Sequence, residues 1–126
     1  MNKLSKKVAL ITGGGGGLGK AAAIKFARGG YNVVVADINY DEASKVADII
    51  GGSALAVKCD VTLIEECRYM VDCAIEQYGR LDIVFANAGI GGTNSEFVSL
   101  DIDDWDRIVD INLRGMMLTC KVSIPH

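Results

Sequence analysis

Apolar residues in this chain fall into short unbroken runs, separated by longer stretches in which they recur at helical spacing. Val8-Ala9-Leu10-Ile11 carries no charge and suits a strand buried on both faces of a sheet. From Leu18 the pattern turns helical, with Ala21, Ala22, Ala23, Ile24, Phe26 and Ala27 supplying helix formers and an apolar face. Gly29-Gly30 closes that helix, and Tyr31 to Ala36 reads as a second buried strand ending at Asp37. A second helix spans about Tyr40 to Ile50, with Ala43, Val46, Ala47 and Ile50 on one side and Gly51-Gly52 after it.

Ala54 to Lys58 predicts a third strand. Thr62 and Glu65 then form a Thr-x-x-Glu capping box for a helix whose apolar face is Cys67, Met70, Val71, Ala74, Ile75 and Tyr78. Gly79 ends it, and Leu81 to Ala86 gives a fourth strand. A loop rich in glycine and small polar residues runs from Asn87 to about Leu100. Asp101 reads as an N-cap with Asp104 at N3, and Leu100 and Trp105 as a hydrophobic staple around that turn. The last helix extends to about Val122, ahead of Pro125. It is apolar nearly all round after Asn112, so burial on two sides is expected.

Strand and helix alternate four times. The expected fold is α/β: a doubly wound parallel sheet with right-handed crossovers, helices on both faces and strand order 3-2-1-4. At 126 residues, the whole of 1–126 is expected to be one domain. Composition removes several classes of function. No window of about 18 residues is free of charge, which excludes a membrane span. Lys3, Lys6 and Lys7 precede an apolar run too short for a secretory signal. A net charge of −3 gives no reason to expect nucleic acid. Cys59, Cys67, Cys73 and Cys120 contain no Cys-x-x-Cys pair and the single histidine is His126, so a zinc site has no support. Reduced thiols in a cytoplasmic protein are the expectation.

Candidate chemistry begins at the glycine loop between the first strand and the first helix. Thr12-Gly13-x-x-x-Gly17-x-Gly19 is one residue longer than the commonest dinucleotide fingerprint. Strand, glycine loop and helix start are the parts of a pyrophosphate site. The free amides and positive dipole end of the helix face the anion, and missing Cβ atoms let it approach the backbone. Asp37 stands 18 residues after Gly19 at the end of the second strand. A carboxylate there can accept hydrogen bonds from both hydroxyls of an adenosine ribose. It would repel a 2′-phosphate by on the order of a few kcal/mol at ~4 Å in an intermediate dielectric. With Ile38 next and no basic residue in the glycine loop, NAD is favoured over NADP. The plainer reading of Asp37 is a cap for the following helix.

Asp60 ends the third strand. It could accept from an adenine amino group, with the Val61 amide serving a ring nitrogen, or it could simply start the next helix. Asn87-Ala88-Gly89 follows the fourth strand near the same crevice. Asn112 sits mid-helix, where asparagine is a poor helix former; it is either a tolerated polar residue or a side chain bonded to nearby backbone.

Taken together, Thr12-Gly13-x-x-x-Gly17-x-Gly19, Asp37, Asp60-Val61, Asn87-Ala88-Gly89 and Asn112 resemble the short-chain dehydrogenase/reductase family over nearly the whole chain. Ala86 departs from it, since the family often has a second asparagine there. The resemblance implies a Rossmann-type sheet and an NAD(P)(H)-dependent oxidoreductase acting on alcohols or carbonyls, with homo-oligomers as the expected assembly. Implied cofactor contacts fall on Thr12, Gly13, Gly17, Leu18 and Gly19 in the loop, on Asp37 and Ile38, on Asp60 and Val61, and on Asn87, Ala88 and Gly89. Asn112 would belong to a catalytic tetrad completed by a serine and a Tyr-x-x-x-Lys. Four residues beyond Tyr31, Tyr40, Tyr69 and Tyr78 stand Val35, Ser44, Cys73 and Asp82, so the chain holds no Tyr-x-x-x-Lys. The resemblance therefore implies a cofactor-binding half, ending before the fifth strand. The alternatives are a non-catalytic nucleotide-binding or interaction module, and a methyltransferase, against which the glycine spacing and Asn87-Ala88-Gly89 argue.

Overall fold

Four parallel strands form one sheet in the order β3-β2-β1-β4, as the alternation predicts. A computed structural model describes residues 5–126. The elements are β1 (Val8–Thr12), α1 (Gly17–Arg28), β2 (Asn32–Asp37), α2 (Tyr40–Ile50), β3 (Ala54–Lys58), α3 (Ile64–Tyr78), β4 (Ile83–Phe85), α4 (Ile102–Val109) and α5 (Gly115–Ser123). A short 3-10 turn covers Phe97–Ser99, and a π-helical turn, Asp110–Arg114, joins α4 to α5. Lys3 lies outside the described residues.

β1 is central, pairing with β2 on one side and β4 on the other, and all five of its residues are buried. Because side chains alternate across a strand, the two faces build two cores. Val8, Leu10, Val34 and Ala36 pack with Cys67, Met70, Val71 and Ala74 of α3 and Leu118 of α5. Ala9, Ile11, Val33 and Val35 pack with Ala23 of α1 and with Ala43 and Val46 of α2. No helix among the described residues is long and apolar enough to cross a membrane. No group of three or more His, Cys, Asp or Glu residues among them could hold a metal ion. All four cysteines are free, Cys59 and Cys67 buried.

Several local expectations are corrected. The Thr62–Glu65 capping box does not form: α3 starts at Ile64 with Leu63 as N-cap and no side-chain cap. Asp60 competes for the threonine, its Oδ1 accepting both the Thr62 amide (3.0 Å) and hydroxyl (2.7 Å). The acid that reaches back is Glu66, whose carboxylate accepts the Asp60 amide at 3.2 Å. The second strand is shifted by one residue to Asn32–Asp37. The fourth shrinks to Ile83–Phe85, with Asp82 turned to accept the Val8 amide at 2.8 Å while pairing with Arg80.

The last helix is interrupted by its π-helical turn, and it is buried on one side only. Gly115, Leu118, Thr119 and Ser123 are covered, whereas Leu113, Met116 and Met117 face outward. The cap at Asp101 does form: its carboxylate accepts the amides of Asp103 (2.8 Å) and Asp104 (3.3 Å).

Candidate functional site

At the carboxyl ends of the strands the loops enclose a cleft of about 240 Å³, lined by Gly13, Gly16, Asp37, Ile38, Cys59, Asp60, Val61, Ala88, Gly89, Ile90 and Ile111. This is where ligands bind in open parallel sheets, because the order reverses between β1 and β4 and the loops part there. Seven of the twelve residues expected to contact a cofactor line it: Gly13, Asp37, Ile38, Asp60, Val61, Ala88 and Gly89. Thr12, Gly17, Leu18, Gly19 and Asn87 are not among the lining residues.

Their placement explains why. Thr12 is 1% exposed and ties two strand ends together. Its hydroxyl points at the Phe85 carbonyl (3.5 Å) and accepts the amides of Asn87 and Ala88, both at 3.0 Å. Asn87 answers with its side-chain amide, donating to the carbonyls of Thr12 (3.1 Å) and Gly13 (3.3 Å). Together they clamp the glycine loop onto the end of β4. Gly19 belongs to the same packing: a Cβ there would lie 2.1 Å from the Gly13 carbonyl oxygen and 2.7 Å from Asn87 Nδ2. Gly16 and Gly17 are exposed, and a Cβ at either would meet no atom of the described residues within 4 Å. Gly17 has φ +52°, left-handed backbone that glycine adopts without penalty. α1 starts there without a side-chain cap and without an acidic residue in its first turn, so its first amides and positive end are open to an anion. Leu18, 79% exposed, lies outside the cleft on the same turn.

Asp37 is held rather than free. Its Oδ2 accepts the Gly15 amide at 3.0 Å and its Oδ1 the Asn39 amide at 2.9 Å. Each oxygen keeps a lone pair, so the carboxylate can still accept from hydroxyl donors. The alternative role, capping α2, falls to Asn39, whose Oδ1 accepts the Glu42 amide at 3.3 Å. Asp60 likewise uses one oxygen on Thr62 while lining the cleft. Asn112 bonds backbone, one of the two possibilities its sequence position left open. Its Oδ1 accepts the Ile90 amide (2.8 Å) and its Nδ2 donates to the Ile90 carbonyl (2.9 Å). The π-helical turn carries it to the loop after β4.

Gly16, Cys59, Ile90 and Ile111 also line the cleft, outside the cofactor contacts expected from the sequence. Their sequence positions, beside Gly17, Asp60, Gly89 and Asn112, are the only signal that could have found them. The Cys59 thiol, held against Cys67 and buried, is pushed well above the usual thiol range and stays protonated. It therefore contributes shape and no charge.

The comparisons agree with this geometry. A family profile described as short chain dehydrogenase matches residues 7–126. The chain is 40% identical to cyclohexanol dehydrogenase of Acinetobacter sp. (strain SE19) over 98% of its own length and 51% of that protein. It is 42% identical to 7alpha-hydroxysteroid dehydrogenase of Escherichia coli (strain K12), over 98% of this chain and 49% of the other. A crystal structure of 3-ketoacyl-(acyl-carrier-protein) reductase from Brucella melitensis complexed with NADH superposes with a TM-score of 0.94 at 40% identity, covering 98% of this chain and 51% of that one. The chain thus spans about half the length of the curated relatives it matches. With the sheet order, the glycine loop and the family match over 7–126 in agreement, the chain belongs to the short-chain dehydrogenase family.

Proposed function

We propose that this chain is the cofactor-binding half of an oxidoreductase that moves a hydride between NAD(H) and an alcohol or carbonyl substrate. The observation that carries the reading is the Asp37 carboxylate, fixed by the Gly15 and Asn39 amides at the rim of the cleft. A carboxylate so held presents acceptors to a ribose diol and repels a 2′-phosphate. The residues present fit the dinucleotide. The open α1 amides at Gly17 and Leu18 suit the pyrophosphate, Asp37 and Ile38 the adenosine ribose, Asp60 and Val61 the adenine. Thr12, Gly19 and Asn87 act one step back, holding the loop in shape, and Ala88 and Gly89 form the opposite wall.

Bound NAD(H) would accept the hydride from an alcohol or donate it to a carbonyl. The chain itself contributes binding and orientation, and Asn112 anchors the loop at Ile90 beside the cleft. A tyrosine–lysine acid/base pair is missing from the sequence, and such catalysis typically supplies ~10²–10⁴-fold. That absence favours, as a second reading, a chain that binds the dinucleotide without turning over substrate on its own. A cytoplasmic location and a homo-oligomer built on the outward face of α4 and α5 belong to the same proposal.

Titration with NADH and NADPH tests it. The unchanged chain should bind NADH at least about tenfold more tightly, equal to ~1.4 kcal/mol of discrimination. Asp37→Ala should narrow that gap, and Asp37→Ala with Ile38→Arg should reverse it. Equal or tighter binding of NADPH by the unchanged chain overturns the assignment of Asp37.

A further inference from the structure

α5 opens on Gly115, a buried glycine inside a continuous run of helical backbone. Glycine costs a helix stability relative to alanine, so a contact that excludes a side chain is the physical reason to look for. That contact is Val61. A Cβ on residue 115 would stand 2.6 Å from Val61 Cγ2, 3.2 Å from its Cβ and 3.5 Å from its carbonyl oxygen. Rotating the valine about χ1 turns the methyl aside, but leaves Cβ and the carbonyl where they are.

Neither partner has room to retreat. The Val61 carbonyl accepts the Cys67 thiol of α3 at 3.4 Å. On the other side, α5 is seated by Leu118, 3% exposed, and by Thr119, 1% exposed, whose hydroxyl donates to the Gly115 carbonyl at 2.8 Å. Val61 is 7% exposed and lines the cleft next to Asp60. The direction left to it is into the cleft.

We propose that Gly115 is a positioning residue for cofactor binding: the close approach of α5 at this glycine sets where Val61 stands, and with it the wall that receives the adenine. The proposal rests on the dinucleotide reading above. Gly115 touches no cofactor itself. The adenine end of the cleft is therefore shaped by a helix whose other side carries exposed Met116 and Met117.

Binding of NADH and of adenosine diphosphoribose, measured by calorimetry on the full chain, separates the possibilities. Gly115→Ala should weaken both ligands roughly tenfold, as overpacking does. Its melting temperature should fall by less than a fold-wide defect would require. Adding Val61→Ala removes the severe 2.6 Å methyl contact and leaves only the Cβ approach at 3.2 Å, and the double variant should return to within about threefold of Val61→Ala alone. A role confined to the helix predicts the opposite for Gly115→Ala, because alanine is the better helix former. Unchanged affinity in Gly115→Ala, or no rescue by Val61→Ala, overturns the proposal. If Gly115→Ala does not fold, Val61→Ile crowds the same contact from the other side, and unchanged affinity there overturns it equally. Failure of the unchanged chain to bind either ligand would instead remove the dinucleotide reading, and this inference with it.

Discussion

The two flanks of the central strand are finished to different degrees. On the β2–β3 flank the chain supplies its own partners. β2 is buried at Val33 to Ala36, α1 and α2 cover one face of the sheet, and the glycine loop is held through the Gly14 amide on the Ala36 carbonyl and the Gly15 amide on Asp37. On the β4 flank the ladder is only three residues long, each of them half-buried, and its outer edge has no strand beside it among the described residues. The helix next to it leaves Leu113, Met116 and Met117 exposed, and Ser123 Oγ is buried there without a hydrogen-bond partner among the described residues. The lesson is a division of labour. The proposed dinucleotide site is built from strand ends, loops and a helix start around β1. The β4 flank has an open edge and an apolar helix face that call for another polypeptide surface.

The largest effects are expected inside the glycine loop. Gly19→Val drives a side chain into the Gly13 carbonyl and should destabilise the fold by about 3 kcal/mol or more, visible as a lost or strongly lowered melting transition. Gly17→Val, two residues away, meets open space and carries only the strain of its positive φ, about 1–3 kcal/mol. It should fold and lose NADH binding. If both variants behave alike, the distinction between a packing glycine and a ligand-facing glycine fails.

A smaller effect belongs to the open flank. Self-association at tens of micromolar is expected through the β4 edge, the α4–α5 face, or both. Leu113→Lys with Met116→Lys should shift sedimentation toward monomer, with a stability change within about 0.5 kcal/mol because both side chains are already exposed. A monodisperse monomer before any substitution would show that this flank is covered in another way. The smallest effect concerns turnover: NADH formation from simple alcohols by this chain alone should stay at background. Steady turnover would show an acid/base source outside Tyr-x-x-x-Lys.

The sheet order and most of the cleft were legible in the sequence, because buried parallel strands read as apolar runs and a glycine loop between strand and helix has few other uses. What escaped was competition between partners. Thr62 and Glu65 have the spacing of a capping box, yet the Asp60 carboxylate two residues earlier takes both threonine donors. Thr12 reads as a loop contact, but its hydroxyl is consumed by amides 75 and 76 residues away. Periodicity cannot show an extra residue in a helical turn, so the π-helical turn at 110–114 was invisible, and with it the reach of Asn112 to Ile90. The outward face of α5 escaped for a related reason: an all-round apolar helix says that it wants cover, not that this chain provides it.

On the reading proposed above, the cleft at the strand ends takes a dinucleotide, and the β4 edge with the outward face of α4 and α5 does not take part in that binding. Amide hydrogen exchange with and without NADH tests both halves at once. Added NADH should slow exchange in the glycine loop from Gly13 to Gly19, around Asp37, and at Asp60-Val61, while the largely exposed stretch of α4 from Asp104 to Arg107 stays unchanged. Absence of protection in the loop, or protection confined to the α4–α5 face, would contradict it.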